Sequence, residues 1–304
     1  LFTKDPRVVG VCFTGSTETA KAINRNLAER DGAIPMLIAE TGGQNAMFVD
    51  STALPEQVVR DVLQSAFVSA GQRCSALRVL YLQNEIADRI IELLKGALAD
   101  YVVGLPFERK TDVSTVIDAR AKAGLMEHIE KLTAAGKLIA QAPESPCQNG
   151  FYISPVIFEI DSILELEKEQ FGPILHIVRY HRDDLPRLLD EVTRSGYGLT
   201  MGIHSRNDTF VDDIVERARI GNFYVNRNQV GAVVGVQPFG GMGLSGTGPK
   251  AGGPNYLLRF MSEHSLSINT AAIGGDAALF TQAYAVDEGN QSDHPATEER
   301  SSSK

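Results

Sequence analysis

One cysteine lies in a segment whose composition is suited to covalent chemistry. Cys74 follows Gly71, Gln72 and Arg73 at the glycine-broken end of a predicted helix. A thiol reacts as the thiolate, and a neighbouring cation or a helix end lowers its pKa towards that form. Arg73 therefore makes Cys74 the candidate nucleophile. The competing interpretation is a small buried hydrophobic residue.

A carboxylate at the end of an apolar run is the candidate general base. Glu40 follows the strand-like residues 35–39 and precedes Thr41 and the paired glycines 42–43. A carboxylate beside a close backbone approach suits proton abstraction. A solvated acid in a turn is the alternative.

The segment of residues 14–17 joins a predicted strand to a predicted helix. Ser16 is placed to cap that helix, whose Ala20, Ile23 and Leu27 fall on one face. The free amides of a helix N-terminus bind anions such as a nucleotide phosphate. An ordinary capped turn remains open, because the segment lacks the Gly-x-Gly-x-x-Gly pattern.

Hydrophobic periodicity predicts the elements that position these residues. Strands and helices alternate along the chain, which is typical of an α/β fold. The predicted strands are 8–13, 35–39, 47–49, 78–83, 151–160, 174–180 and 221–226, and the predicted helices after the first are 55–70, 85–99, 118–135, 185–194 and 210–218.

Composition narrows the possible partners. The 304 residues are 43% hydrophobic and 22% charged, with a net charge of −9, which argues against direct contact with nucleic acid. The three cysteines are widely spaced and the histidines are scattered singly, so neither a disulfide framework nor a metal site is expected. No apolar run approaches the roughly 20 residues of a membrane span. We expect a cytoplasmic protein in a reducing compartment.

Five segments, taken in order, resemble the NAD-dependent aldehyde dehydrogenase superfamily. They are Phe-Thr-Gly-Ser-Thr at 13–17, Glu-Thr-Gly-Gly at 40–43, Gly-Gln-Arg-Cys at 71–74, Glu-Gln-Phe-Gly-Pro at 169–173 and Gln-Pro-Phe-Gly-Gly at 237–241. Residues 231–241 and 246–254 resemble the branch that oxidises L-glutamate γ-semialdehyde, the 1-pyrroline-5-carboxylate dehydrogenases. Residues 13–83 resemble the dehydrogenase module of bacterial bifunctional enzymes, in which an upstream FAD-dependent proline dehydrogenase domain makes the substrate.

The resemblance implies a role for each matched residue. Cys74 would attack the aldehyde, and Glu40 would activate the water that releases the product. Phe239 could equally be a core aromatic. The implied NAD-binding residues are Gly15, Ser16, Thr17, Thr41, Glu169 and Phe171, and the implied substrate-binding residues are Arg73, Ser75, Gly231, Ala232 and Phe239.

The resemblance also implies how the chain is divided. The expected parts are 1–41, the end of a Rossmann-type NAD-binding domain; 42–242, the catalytic domain; 243–260, a return segment; 261–281, a strand that pairs with another subunit or module in a homo-oligomer; and 282–304, a disordered tail. The family's module extends further upstream, where an oxyanion-hole asparagine and a ribose-binding lysine lie. We therefore expect these 304 residues alone to be a fragment with little or no activity.

Two alternatives remain. One is a dehydrogenase for another ω-semialdehyde, which would differ in substrate preference. The other is a non-catalytic assembly module, although no structural role requires both Cys74 and Glu40.

Overall fold

A computed structural model describes residues 2–147 and 149–269 of the chain. The chain divides into two units, residues 1–260 and 261–304. The first unit contains every helix and strand in the described part of the chain. The predicted domain boundaries stay predictions.

The chain begins with a short β-α-β unit. Strands β1 (Gly10–Thr14) and β2 (Met36–Glu40) pair in parallel, with Thr14 opposite Glu40, and helix α1 (Thr17–Ala28) connects them. The apolar face of α1 packs on β1, as the spacing of its apolar residues predicts. The carboxyl ends of both strands therefore lie beside the first turn of α1, and Glu40 is one of these ends.

A seven-stranded sheet forms the main core. The remaining elements are β3 (Asn45–Val49), α2 (Pro55–Phe67), β4 (Leu77–Gln83), α3 (Asn84–Ala99), α4 (Ala119–Ala134), β5 (Leu138–Gln141), β6 (Val156–Glu159), β7 (Ile174–Tyr180), α5 (Leu185–Arg194), β8 (Tyr197–Gly198), β9 (Thr200–His204), α6 (Asp208–Arg217), β10 (Asn222–Val225) and β11 (Met242–Gly243), with 3-10 turns at Phe2–Lys4, Val68–Gly71, Ile163–Glu165, Arg182–Asp184 and Leu257–Phe260. The strand order of the large sheet is β10-β9-β3-β4-β7-β6-β5, and every pairing in it is parallel except that of the edge strand β5.

The central strands are buried on both faces. Every residue of β3 and β4 is buried, as expected for parallel strands covered on both sides. Phe48 and Tyr81 stack across these strands with ring centroids 4.3 Å apart. The predicted α/β fold is confirmed.

Several predicted boundaries are wrong. Helix α2 ends at Phe67 rather than residue 70, because Ser69 and Ala70 adopt left-handed backbone angles. The strand predicted over 151–160 is limited to β6. Strand β9 was not predicted, since its Thr-Met-Gly-Ile-His sequence carries no clear alternation.

The second unit is described only over Met261–Asn269, which carry no strand or helix. The remainder of the predicted pairing strand and the whole predicted tail lie outside the described residues. Among the described helices, none has the length and apolar character needed to cross a bilayer.

Candidate active site

Cys74 lies in a tight turn of residues 68–76, the nucleophile turn, between α2 and β4. Ser69, Ala70 and Gly71 have φ values of 58°, 54° and 67°. Two successive non-glycine residues with positive φ are uncommon, and such backbone strain is concentrated at functional sites. The turn breaks the helix and brings Cys74 to the amino end of β4.

Side chains from β3, from β9 and from the loop after β10 hold the backbone of this turn. The Asn45 amide donates to the carbonyls of Cys74 and Ala76 over 2.7 and 2.8 Å. The Ser75 carbonyl accepts hydrogen bonds from Thr200 Oγ1 (3.2 Å) and from Gln229 Nε2 (3.3 Å). Sequence reasoning missed these three polar residues. The only available signal was a polar residue opening an apolar strand, as Asn45 does for β3.

The environment of Cys74 favours the neutral thiol. Burial raises the pKa of Cys74, and the negative charges of Glu169 and, to a smaller extent, Glu40 raise it further. The amides of Ser75 and of Cys74 itself oppose this rise. Cys74 therefore rests as a thiol and needs a base to form the thiolate.

The prediction that Arg73 lowers the pKa of the thiol is wrong. The exposed Arg73 side chain donates from Nε to Ser69 Oγ over 3.2 Å and from Nη1 to the Val230 carbonyl over 3.3 Å. Arg73 is not among the groups that shift the Cys74 pKa. It connects the nucleophile turn to the loop that contains Gly231 and Ala232.

Glu40 has the protonation equilibrium of a general base at neutral pH. Burial raises the pKa of its carboxyl to about 7, against opposing contributions from the Gly241 amide and the Lys250 charge. The Gly241 amide donates to Oε2 over 3.2 Å. A base is most effective when its pKa lies near the working pH.

A cavity of about 760 Å³ opens beside Cys74. It lies between the first turn of α1, the nucleophile turn and the segment that precedes β7. Of the predicted site residues, Gly15, Ser16, Thr17, Thr41, Arg73, Cys74, Ser75, Glu169, Phe171, Ala232 and Phe239 line it. Glu40 and Gly231 are not among its described lining residues, whereas Glu18, Lys168, Tyr197 and Val230, which were not predicted, are.

Glu169 is held beneath the cavity by a buried arginine. Arg78, which is 1% exposed, donates from Nη2 to Glu169 Oε1 over 3.0 Å, and its guanidinium lies 5.5 Å from the centre of the Phe171 ring. Burial raises the pKa of Glu169, and Arg78 lowers it. A Cβ at Gly42 would overlap Glu169 Oε2, so the close backbone approach predicted for the paired glycines occurs here.

The first turn of α1 faces the cavity with its amide end. Ser16 accepts a hydrogen bond from the Thr19 amide, as predicted for its N-cap. Thr17 and Thr41 both donate their hydroxyls to the Leu244 carbonyl, which fixes the distance between the turn and the end of β2. The first amides of a helix have no partner within it and remain available to an anion.

Two histidines that are distant in the sequence form a pair in the fold. His128 Nε2 and His176 Nε2 lie 2.9 Å apart, and His176 Nδ1 lies 3.0 Å from the Arg78 carbonyl. Burial lowers the pKa of both rings, that of His176 to about 3. No cluster of three or more potential metal ligands occurs among the described residues.

The similarity of this chain to known proteins identifies its family. A model of the aldehyde dehydrogenase family matches residues 1–266. The chain belongs to the aldehyde dehydrogenase family. Its relatives include the bifunctional protein PutA of Escherichia coli strain K12, which is 54% identical over 282 residues, 88% of this chain and 21% of that protein. They also include a 1-pyrroline-5-carboxylate dehydrogenase of Geobacillus thermodenitrificans, which is 34% identical over 86% of this chain and 51% of that protein.

Solved structures of the family are also similar to this chain. A crystal structure of a bifunctional proline utilization A protein has a TM-score of 0.84 and 55% identity, over 90% of this chain and 27% of that one. A 1-pyrroline-5-carboxylate dehydrogenase from Thermus with bound NAD has a TM-score of 0.76 and 30% identity, over 85% and 50% of the two chains. The family member described here spans about a fifth of the length of the E. coli relative.

Proposed function

We propose that this chain is part of an NAD-dependent dehydrogenase that oxidises L-glutamate γ-semialdehyde, formed from 1-pyrroline-5-carboxylate, to L-glutamate. The observation that carries the proposal is Cys74, held beside a large cavity as a thiol, together with a carboxyl group, Glu40, whose pKa is about 7. The relatives named for proline utilization and for 1-pyrroline-5-carboxylate dehydrogenase support the choice of substrate.

The reaction begins with a proton transfer. Cys74 gives its proton towards Glu40, and the thiolate adds to the aldehyde carbon to form a thiohemiacetal. NAD, when bound, supplies the acceptor for the hydride that leaves this carbon. Glu40 passes the first proton to solvent, and the resulting thioester on Cys74 is then hydrolysed by a water molecule that gives a proton to the ionised Glu40. The carbon–sulfur bond breaks, glutamate leaves, and the sulfur is reprotonated.

Two backbone amides stabilise the thiolate form of Cys74. The amides of Cys74 and Ser75 lower the pKa of the thiol, so they stabilise the thiolate relative to the thiol. The carbonyls of the same turn are already bonded to Asn45, Thr200 and Gln229. The amides therefore stay aimed at the sulfur throughout the reaction, which is the preorganisation that catalysis requires.

The residues around the cavity fit the nicotinamide half of NAD. The open amides of the first turn of α1 suit the pyrophosphate, with Gly15, Ser16, Thr17 and Thr41 forming the surrounding turn. Glu169, ordered by Arg78, offers a carboxylate to a ribose hydroxyl, and Phe171 offers a flat surface to the nicotinamide ring. Arg78 fixes both residues, since its guanidinium contacts each of them.

The substrate would enter from the side of residues 230–239. Its α-carboxylate would be bound by backbone amides near Gly231 and Ala232 and attracted by the exposed Arg73, while the Ser75 hydroxyl supplies a further donor. Phe239, which lines the cavity, would pack on the aliphatic part of the substrate.

The relatives also suggest the context of the chain. Two relatives named bifunctional PutA support an upstream FAD-dependent proline dehydrogenase domain in the full-length protein. We further propose a cytoplasmic homo-oligomer that contacts neither nucleic acid nor membrane.

The decisive experiment is NADH formation from glutamate semialdehyde by the full-length protein that contains this chain, compared with its Cys74→Ala variant. Turnover by the first and background by the second are expected. Succinate semialdehyde, which lacks the amino acid head, serves as a comparison, and preference for it would overturn the substrate assignment. An alkylatable Cys74 without turnover on any aldehyde would favour the non-catalytic module.

A further inference from the structure

The Glu40 carboxylate is held by backbone rather than by side chains. The Gly241 amide donates to Oε2 over 3.2 Å, while Oε1 is buried and has no hydrogen-bond partner among the described residues. A Cβ added at Gly240 would lie 2.7 Å from Oε1. The position of the base therefore depends on where the loop of residues 238–241 sits.

Asn222, the first residue of β10, fixes that loop. Its Nδ2 donates to the Pro238 carbonyl over 2.9 Å, and its Oδ1 accepts from the Gly240 amide over 3.2 Å. One side-chain amide thus forms hydrogen bonds with the loop backbone at two positions, Pro238 and Gly240. Since Gly240 directly precedes the Gly241 donor, a shift at Asn222 would be transmitted to Glu40.

Lys250, which follows the loop of residues 238–241 in the chain, contacts the backbone beside Asn222. Its Nζ donates to the carbonyl of Gly221, the residue before Asn222. Burial lowers the pKa of Lys250, and the Glu40 charge opposes this shift; the Lys250 charge in turn opposes the rise that burial causes in the pKa of Glu40. The other titratable groups that interact with Glu40 are Cys74 and Tyr256, whose pKa values its charge raises.

We propose that Lys250 and Asn222 are positioning residues for Glu40: Lys250 fixes the backbone at Gly221, and Asn222, the next residue, fixes the loop that seats the base. The inference rests on the proposed function, since it assigns both residues to the base of that reaction. Neither residue was identified as functional from the sequence. Lys250 acts through its charge and its bond to the Gly221 carbonyl, so arginine should replace it better than methionine does.

The test uses a readout that requires neither aldehyde nor NAD. In the full-length protein, the rate of Cys74 alkylation by iodoacetamide is measured against pH, and the Cys74 peptide is quantified by mass spectrometry. Glu40→Gln identifies the inflection that belongs to Glu40. The variants are Lys250→Met and Lys250→Arg, and Lys95→Met, an exposed lysine of α3, is the matched control.

The expected profile has an inflection near pH 7 that Glu40→Gln abolishes. Lys250→Met should move it upwards by roughly 0.5 pH unit, as one partly solvated charge does, whereas Lys250→Arg and Lys95→Met leave it in place. Asn222→Ala should lower kcat for the aldehyde more than it raises KM, because the loop that Asn222 fixes seats Glu40, which accepts protons from Cys74 and from water, whereas only Phe239 of that loop is assigned to the aldehyde.

An unmoved inflection in Lys250→Met, an equal shift in Lys95→Met, or a wild-type profile without the inflection would overturn the role of Lys250. An unchanged kcat in Asn222→Ala would overturn that of Asn222. Absence of NADH formation by the wild type, with the shift in Lys250→Met present, would overturn the proposed function and leave the coupling of Lys250 to Glu40 standing.

Discussion

Replacing Arg78 should loosen both the nucleophile turn and the cofactor side of the cavity. Arg78 donates to Glu169, to the Gly172 carbonyl and to the Arg73 carbonyl at 3.0, 3.2 and 3.2 Å. Arg78→Met removes all three bonds and leaves the Glu169 carboxylate buried without its partner. Breaking a buried ion pair by removing one member costs about 3–5 kcal/mol.

The effect is measurable as local opening in the full-length protein. Hydrogen exchange followed by mass spectrometry reports on peptides that cover 69–78 and 167–173. A local loss of about 3 kcal/mol accelerates exchange by roughly 10²-fold where these peptides open independently of the rest of the protein. Arg78→Met with Glu169→Gln should recover part of the protection, because the second change removes the unpaired charge.

A matched control is the exposed pair of Arg89 and Glu56, whose side chains are 63% and 73% exposed and 3.5 Å apart. Arg89→Met should change the free energy of local opening by less than about 1 kcal/mol. Unchanged exchange in both peptides of Arg78→Met would refute the reasoning. So would a double variant that exchanges faster than Arg78→Met alone.

Three further outcomes are expected. Glu40 is a base only when ionised, so the steady-state rate should rise with pH through about 7 and should fall by about tenfold per pH unit below it. Glu40→Gln should remove this dependence, and a flat profile in the wild type would contradict the role of Glu40. Asn45→Ala leaves two carbonyls of the nucleophile turn without their donor, at about 1–3 kcal/mol for each buried group. The time course of Cys74 alkylation should therefore become multi-exponential as the turn samples several conformations, whereas a single-exponential course at the wild-type rate would contradict the anchoring. Ser16→Ala removes a helix cap worth about 1 kcal/mol and should raise the KM for NAD more than that for the aldehyde, with equal effects on both as the contrary result.

The sequence predicted the elements that carry strong local signals. The α5 bounds, Leu185–Arg194, were predicted in full, and Ser16 caps its helix as expected. Strand β9 was missed because tertiary burial, rather than alternation, makes it a strand.

The residues of the site likewise divide into those that local sequence patterns predict and those that they do not. Most of the predicted site residues line one cavity. They were predictable because they lie in short contiguous motifs that resemble those of the family. Arg78, Asn45 and Asn222 stand outside those motifs, and each acts through contacts with residues distant in the chain. The sign of the Cys74 pKa shift was also beyond sequence reasoning, since it depends on where the Arg73 side chain turns and on how deeply the sulfur is buried.

The upward shift of the Cys74 pKa has a consequence for how the thiol loses its proton. Cys74, Glu40 and Glu169 are three acidic groups, and the charge of either carboxylate raises the pKa of the thiol. A thiolate beside an ionised Glu40 is therefore disfavoured, whereas transfer of the proton from Cys74 to Glu40 leaves the number of negative charges unchanged. Coupled groups of this kind titrate together rather than one by one. The apparent pKa that controls nucleophilic attack should accordingly follow Glu40, near 7, and not the free thiol. An activity profile that rises only with ionisation of the thiol, well above neutral pH, would show that Cys74 loses its proton to solvent instead.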